Sequence, residues 1–190
     1  MSPQVLRRIN MDLEEHVEST EELYNGVIIK VERQQVRLPN GDSASREIVR
    51  HAGAVGILAL TADNKMILER QWRAPIAAAT LEIPAGKLDQ RDADNVEHAV
   101  IRELNEEIRY QPGQLKRITG FYSSVGFSDE YMTLFLATDL KPVTTELPRD
   151  QGENLELLTV TKEEAQAMID SGEINDAKTI TAIYYWLLQK

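Results

Sequence analysis

Between residues 95 and 108 the apolar side chains Val96, Val100, Leu104 and Ile108 recur every fourth position, a period that an α-helix gathers onto one face. The same stretch contains Arg102-Glu103-Leu104-Asn105-Glu106-Glu107. At about 100° per residue Glu103, Glu106 and Glu107 share another face, because positions three and four apart bring Cβ atoms within about 5–6 Å. Three carboxylates that close repel one another unless a cation joins them, and an all-oxygen donor set suits a hard divalent ion such as Mg2+ or Mn2+. Taken alone, a run of this kind is usually a solvated acidic face.

The rest of the chain alternates strand and helix periods. Residues 26–38 and 43–51 are rich in β-branched types and flank Pro39-Asn40-Gly41-Asp42, which predicts an amino-terminal hairpin. Residues 52–60 and 65–72 flank a polar turn at 61–64 and predict a second antiparallel pair. Further strands are expected near 114–123, 131–138 and 154–160, and a short one through Leu81-Glu82 ends in a Pro84-Ala85-Gly86 turn. Asp94 followed by Glu97 has the spacing of a capping box for the helix at 95–108. Thr161 and Glu164 repeat that spacing ahead of a helix at 161–171, and a last helix is expected at 176–189. Strands mixed with three helices predict an α/β fold in which helices cover a mixed sheet.

A chain of 190 residues, 42% hydrophobic and 27% charged, has the composition of a folded domain. Its 31 acidic residues outnumber 21 basic ones, giving a net charge of −10, and no block of Lys or Arg interrupts this balance. Nucleic acid and anionic membrane are therefore set aside as partners. The absence of cysteine excludes a disulfide framework, a thiol nucleophile and a thiolate metal site. The first twenty residues are too polar for a secretory signal, and the longest apolar stretch, 54–60, falls far short of the roughly 20 residues of a membrane span. A cytoplasmic location is expected.

Residues 81–110 resemble the box of the Nudix hydrolases, G-x5-E-x7-R-E-U-x-E-E-x-G-U, where U is bulky and apolar. Gly86 opens it and Arg102 to Glu107 match its R-E-U-x-E-E portion. The loop between them is two residues longer than the pattern, the first box acid falls on Asp94, and Arg109 stands at the later glycine. The likeness is closest to the ADP-ribose pyrophosphatase branch. It extends over about residues 20–185, through YNGVIIKV, LPNGDSASREIVRH, GAVGILAL, ERQWR, LEIPAGKLD, GFYSSVGFSDE and INDAKTITAI.

The resemblance implies a Nudix-type α/β/α sandwich with a mixed sheet plus an amino-terminal β-hairpin element. Its division would be a dimerisation segment at 1–51 and a hydrolase domain at 52–190. It implies Glu103 and Glu107 as the main metal ligands with Glu106 assisting, and oxygen contributions from the Ala85 carbonyl and Glu82. Arg73 would hold the substrate phosphates, Arg46 and Glu47 would face the adenine or its ribose, and Glu130 would serve as general base for the attacking water. Each has a plainer alternative: an ion pair for Arg73, an exposed cross-strand charge pair for Arg46 and Glu47, a solvated loop acid for Glu130. His98 is expected at the surface, and Trp72 and Tyr184-Tyr185-Trp186 in core or dimer contacts.

The implied reaction is Mg2+-dependent hydrolysis of a nucleoside diphosphate linked to another group, ADP-ribose giving AMP and ribose 5-phosphate, by a homodimer. Mn2+ is an alternative ion. One departure points to other NDP-sugars, since Val125 stands where the branch has proline. A silent nucleotide-sugar-binding domain is a third alternative, against which the intact box acids argue.

Overall fold

The chain divides into two compact units, one formed by the residues up to His51 together with Ser124–Asp129, the other by Ala52–Ser123 and the residues from Glu130 onward. The computed structural model describes residues 13–92, 95–149, 152 and 154–189. In the first unit β1 (His16–Asn25), β2 (Ile29–Arg37) and β3 (Ser43–His51) form an antiparallel sheet in that order. The turn between β2 and β3 is the one that Asn40-Gly41 predicts. Gly41 adopts φ 90°, which a side chain would oppose, and its N–H donates to the Leu38 carbonyl. The register sets Arg46 opposite Gln34 and Glu47 opposite Arg33.

Strand β1 has no counterpart in the sequence expectations. HVESTEELYN lacks period-2 apolar alternation and all ten residues are exposed, so backbone pairing with β2 and pairs such as Arg37–Glu18 place it. The loop Ser124–Asp129 belongs to this unit through its bonds to β3. The Val49 N–H donates to Phe127 O, and the Asp129 carboxylate accepts from the His51 N–H and from Arg50.

All six residues of β4 (Ala54–Ala59) in the second unit are buried, because both faces of this strand are covered. Its neighbours are β7 (Ala85–Lys87) and β10 (Tyr131–Thr138), and β9 (Gln114–Tyr122) closes the far edge of the sheet. β4 and β10 run parallel and the other pairs antiparallel, which makes the sheet mixed. Ala54 and Leu58 pack with Met132, Leu134 and residues Ala182, Ile183 and Trp186 of α3 (Ala177–Leu188). Val55, Ile57 and Ala59 pack with Phe135 and Ala137 and with Ala99 and Val100 of α1 (Val96–Glu103). The period of two thus delivers alternate residues to two helical layers, and the result is the expected α/β/α sandwich.

One pairing differs from expectation. β4 and β5 (Met66–Arg73) share no ladder: the Leu60–Met66 bridge joins the chain at their turn, after which β5 pairs with β6 (Ala78–Glu82) and β12 (Glu156–Val160) in a separate sheet. The double-sided burial of β4 makes it a central strand whose two edges go to β7 and β10. The two-residue strands β8 (Tyr110–Gln111) and β11 (Lys141–Pro142) pair beside the box helix. α2 (Lys162–Asp170) has the expected capping box between Thr161 and Glu164. Asp94, expected to cap α1, lies outside the described residues, and the Asn95 side chain accepts the Glu97 N–H at 3.0 Å. Among the described residues no helix is long and apolar enough to cross a membrane.

Candidate active site

The box helix changes pitch where its glutamates begin. α1 ends at Glu103, and Leu104–Ile108 continue as a π-helical turn, a widened form that recurs at functional sites. Leu104 and Ile108 anchor this turn in the core beneath β4 and β10. Arg109 ends it at φ 66° with its N–H on the Leu104 carbonyl. This left-handed conformation accounts for the glycine that the Nudix pattern has here. The Arg109 side chain bonds the Asn105 and Leu147 carbonyls, while Arg149 donates to the carbonyls of Glu106 and Glu107 at 3.2 and 2.9 Å. The turn's last carbonyls thereby gain cationic donors where helical partners have run out.

Glu103, Glu106 and Glu107 are 7%, 3% and 2% exposed, which removes the solvated-face alternative. Arg102 bridges two of them, donating to Glu103 at 2.6 Å and Glu106 at 3.0 Å, and its other donors reach Asp92 and the Lys87 carbonyl. Burial would lower the Arg102 pKa, but its bonds to Asp92 and Glu103 prevail and hold it well above the ordinary arginine value. Arg91 also reaches Glu106, at 3.2 Å. Glu107 accepts the Ala85 N–H at 3.0 Å. Gly86 faces Glu103 so closely that a Cβ built on it would lie 1.7 Å from the carboxylate oxygen.

Among the described residues no three acidic or imidazole side chains already converge at metal-holding distance, and Arg102 bridges Glu103 and Glu106. The donor set still fits a hard divalent ion. It offers three buried carboxylates on two adjacent turns, oxygen atoms only, against a glycine whose missing side chain leaves room for the first of them.

Glu82 and Arg73, expected on metal and substrate respectively, meet each other. Arg73 grips Glu82 with a two-pronged fork at 2.6 and 2.7 Å, and Thr80 and Lys178 also donate to that carboxylate. Burial alone would raise the Glu82 pKa, yet Arg73 and Lys178 prevail and pull it down to about 2. Glu82 is thus committed to cations of the protein itself. The Arg73 pKa is raised above the ordinary arginine value, chiefly by its bond to Glu82. Lys178 escaped the sequence reading although it stands in the quoted segment INDAKTITAI.

Arg46 and Glu47 lie on β3 of the first unit and line a cavity of about 410 Å3 there. Arg46 forms a fork to Glu15 at 3.0 and 2.5 Å, the kind of exposed charge pair that was the plainer alternative for this position. Glu130 immediately precedes β10 and accepts the Ser123 hydroxyl at 2.5 Å, beside the edge-to-face pair Tyr122–Tyr131. His98 is exposed and Trp186 buried, as expected, whereas Trp72 is 65% exposed.

A family model described as NUDIX domain matches residues 50–183. Over 178 residues the chain is 40% identical to an ADP-ribose pyrophosphatase of Bacillus subtilis (strain 168), covering 94% of this chain and 95% of that one. It is 37% identical to a methanol dehydrogenase activator of Bacillus methanolicus, over 93% and 95% of the two chains. A crystal structure of an ADP compounds hydrolase superposes with a TM-score of 0.81 over 92% of this chain and 93% of its own, at 21% identity.

Proposed function

The chain belongs to the NUDIX family of hydrolases, and on that premise we propose that it cleaves the diphosphate of ADP-ribose to AMP and ribose 5-phosphate. The observation that carries this reading is the trio Glu103, Glu106 and Glu107, buried together on the box helix opposite the Ala85-Gly86 turn. Likeness to the Bacillus subtilis ADP-ribose pyrophosphatase over nearly the whole of both chains supports the choice of substrate. A divalent cation, Mg2+ or in its place Mn2+, would supply charge neutralisation for the diphosphate and the attacking water.

The chain's own residues do the rest. Glu103 and Glu107 hold the ion, with Glu106 and the Ala85 carbonyl supporting, and Arg102 keeps the glutamates compatible with one another before it arrives. Arg73 keeps its Nη1 donors outside the fork to Glu82, available to a phosphate oxygen. Glu82 positions Arg73 and does not ligate. Glu130, oriented by Ser123, takes the proton of the attacking water. The cavity bearing Arg46 and Glu47 receives the adenosine end, and a second copy of the chain completes a homodimer.

The test is a panel of ADP-ribose, NDP-sugars, dinucleoside polyphosphates and NADH, each with Mg2+, with Mn2+ and with excess EDTA. AMP and ribose 5-phosphate should form from ADP-ribose only with metal present, and undiminished turnover in EDTA would refute the role given to the glutamates. Val125 favours a broader substrate range. It is 81% exposed, and it follows Ser124, whose carbonyl accepts the Phe127 and Ser128 N–H groups, so it takes the turn position that proline would stiffen. ADP-ribose should then lead other NDP-sugars by only about tenfold in kcat/KM, about 1.4 kcal/mol.

A further inference from the structure

The first unit's cavity sets one arginine, Arg46, against three carboxylates, Glu15, Glu47 and Asp129, with Val17, Val36, Ile48 and Phe127 as apolar wall. Such a lining repels a diphosphate and leaves the uncharged, flat part of a nucleotide as what it can accept. Arg46 is prepared for that part. Its Nε and Nη2 donate to the Glu15 carboxylate at 3.0 and 2.5 Å and its Nη1 to the Ser45 carbonyl at 3.1 Å. These partners lie along the edge of the guanidinium, so they fix its plane and take no share of its two faces. An exposed arginine otherwise samples many rotamers, and a base stacking on it would have to select one.

We propose that Glu15 is a positioning residue for nucleobase recognition, holding the Arg46 guanidinium as a fixed platform on which the base stacks. The proposal rests on the nucleotide-hydrolase reading and adds to it a residue ahead of β1, outside the box and 31 positions from its partner. It also gives a reason for the sequence to spend a carboxylate on a cation that a phosphate could otherwise take.

The experiment is a double-mutant cycle of Glu15→Ala and Arg46→Ala, with Glu15→Gln as a variant of the same shape, read as KM and kcat for ADP-ribose and as inhibition by AMP and by ribose 5-phosphate. Glu15→Ala should raise KM about tenfold with kcat within about twofold of wild type, corresponding to about 1.4 kcal/mol. It should weaken AMP and leave ribose 5-phosphate, which has no base, unchanged. Glu15→Gln should fall between, and in the Arg46→Ala background Glu15→Ala should add nothing. A fall in KM on removing Glu15 would show that it competes with substrate, and an equal loss in the Arg46→Ala background would show that it acts elsewhere; either overturns the proposal. Should wild type leave ADP-ribose intact, the functional reading fails on its own, and the same cycle read as AMP affinity by calorimetry still decides on Glu15.

Discussion

Gly86 shows how one missing side chain can matter to a charged site. A Cβ there would come within 2.0 Å of the Glu103 carboxyl carbon and 2.6 Å of its Cγ as well, so the whole side chain must leave and not merely its tip. Gly86→Ala should therefore lower kcat by at least about a hundredfold, the scale of losing one strong electrostatic contributor, while thermal unfolding changes little. Activity near wild type would mean that Glu103 has no part in the reaction. Glu82 makes a different argument, about stability. Its carboxyl pKa in the folded chain, about 2, lies below the ordinary 4.5, so its contribution is complete above about pH 4.5 and is lost as pH falls toward 2. That depression corresponds to about 3 kcal/mol at neutral pH. Glu82→Gln should be markedly less stable than wild type in denaturant at pH 7, and the gap should narrow steadily between about pH 4.5 and pH 2. A gap that is constant with pH would assign the loss to packing.

The box helix carries its function in its last turn, and that turn depends on arginines from elsewhere. Arg149 donates to the carbonyls of both Glu106 and Glu107, so Arg149→Met, which keeps the length but removes the donors, should cost about 1–2 kcal/mol in stability. It should also raise the Mg2+ concentration for half-maximal activity, because the π turn that aims Glu106 and Glu107 loosens; unchanged values of both would reduce Arg149 to a surface residue. None of this could be read from apolar spacing. Leu104 and Ile108 stand four apart whether the turn is α or π, and Arg149 comes from a segment with no periodic signal. Legible elements were those whose period reports burial directly: the box helix, α2 with its capping box, α3, and the strands β9, β10 and β12. Pairing was less so, since β4 and β5 are adjacent in sequence yet β4 pairs with residues 29 and more positions away. β1 was invisible because nothing in it is buried. At the site, the glutamates and Arg73 were legible as residues, but the partners that define them, Lys178 for Glu82 and Glu15 for Arg46, lie 96 and 31 positions off.

At the scale of the molecule, the first unit is a sheet in search of a cover. Three strands have little core of their own, with Val36 and Gln34 as their buried residues, whereas Val17, Leu23, Tyr24, Val27 and Ile28 are more than two-fifths exposed. A sheet so thin gains stability from an apolar surface laid against it, and a second copy of the chain is the partner expected to supply one. Charge opposes the encounter, since each copy brings −10, so a dimer is expected to rest on apolar contact and to tighten as salt screens the repulsion. Sedimentation at about 0.05 and 0.5 M salt should give a dimer that is stronger in the higher salt. Ile28→Asp, placing a charge on that surface, should yield monomers and lower kcat/KM with them, because the cavity of Arg46 and Glu47 belongs to the same unit. A dimer that weakens with salt would be held by ion pairs, and a fully active wild-type monomer at micromolar concentration would show that one copy suffices for hydrolysis.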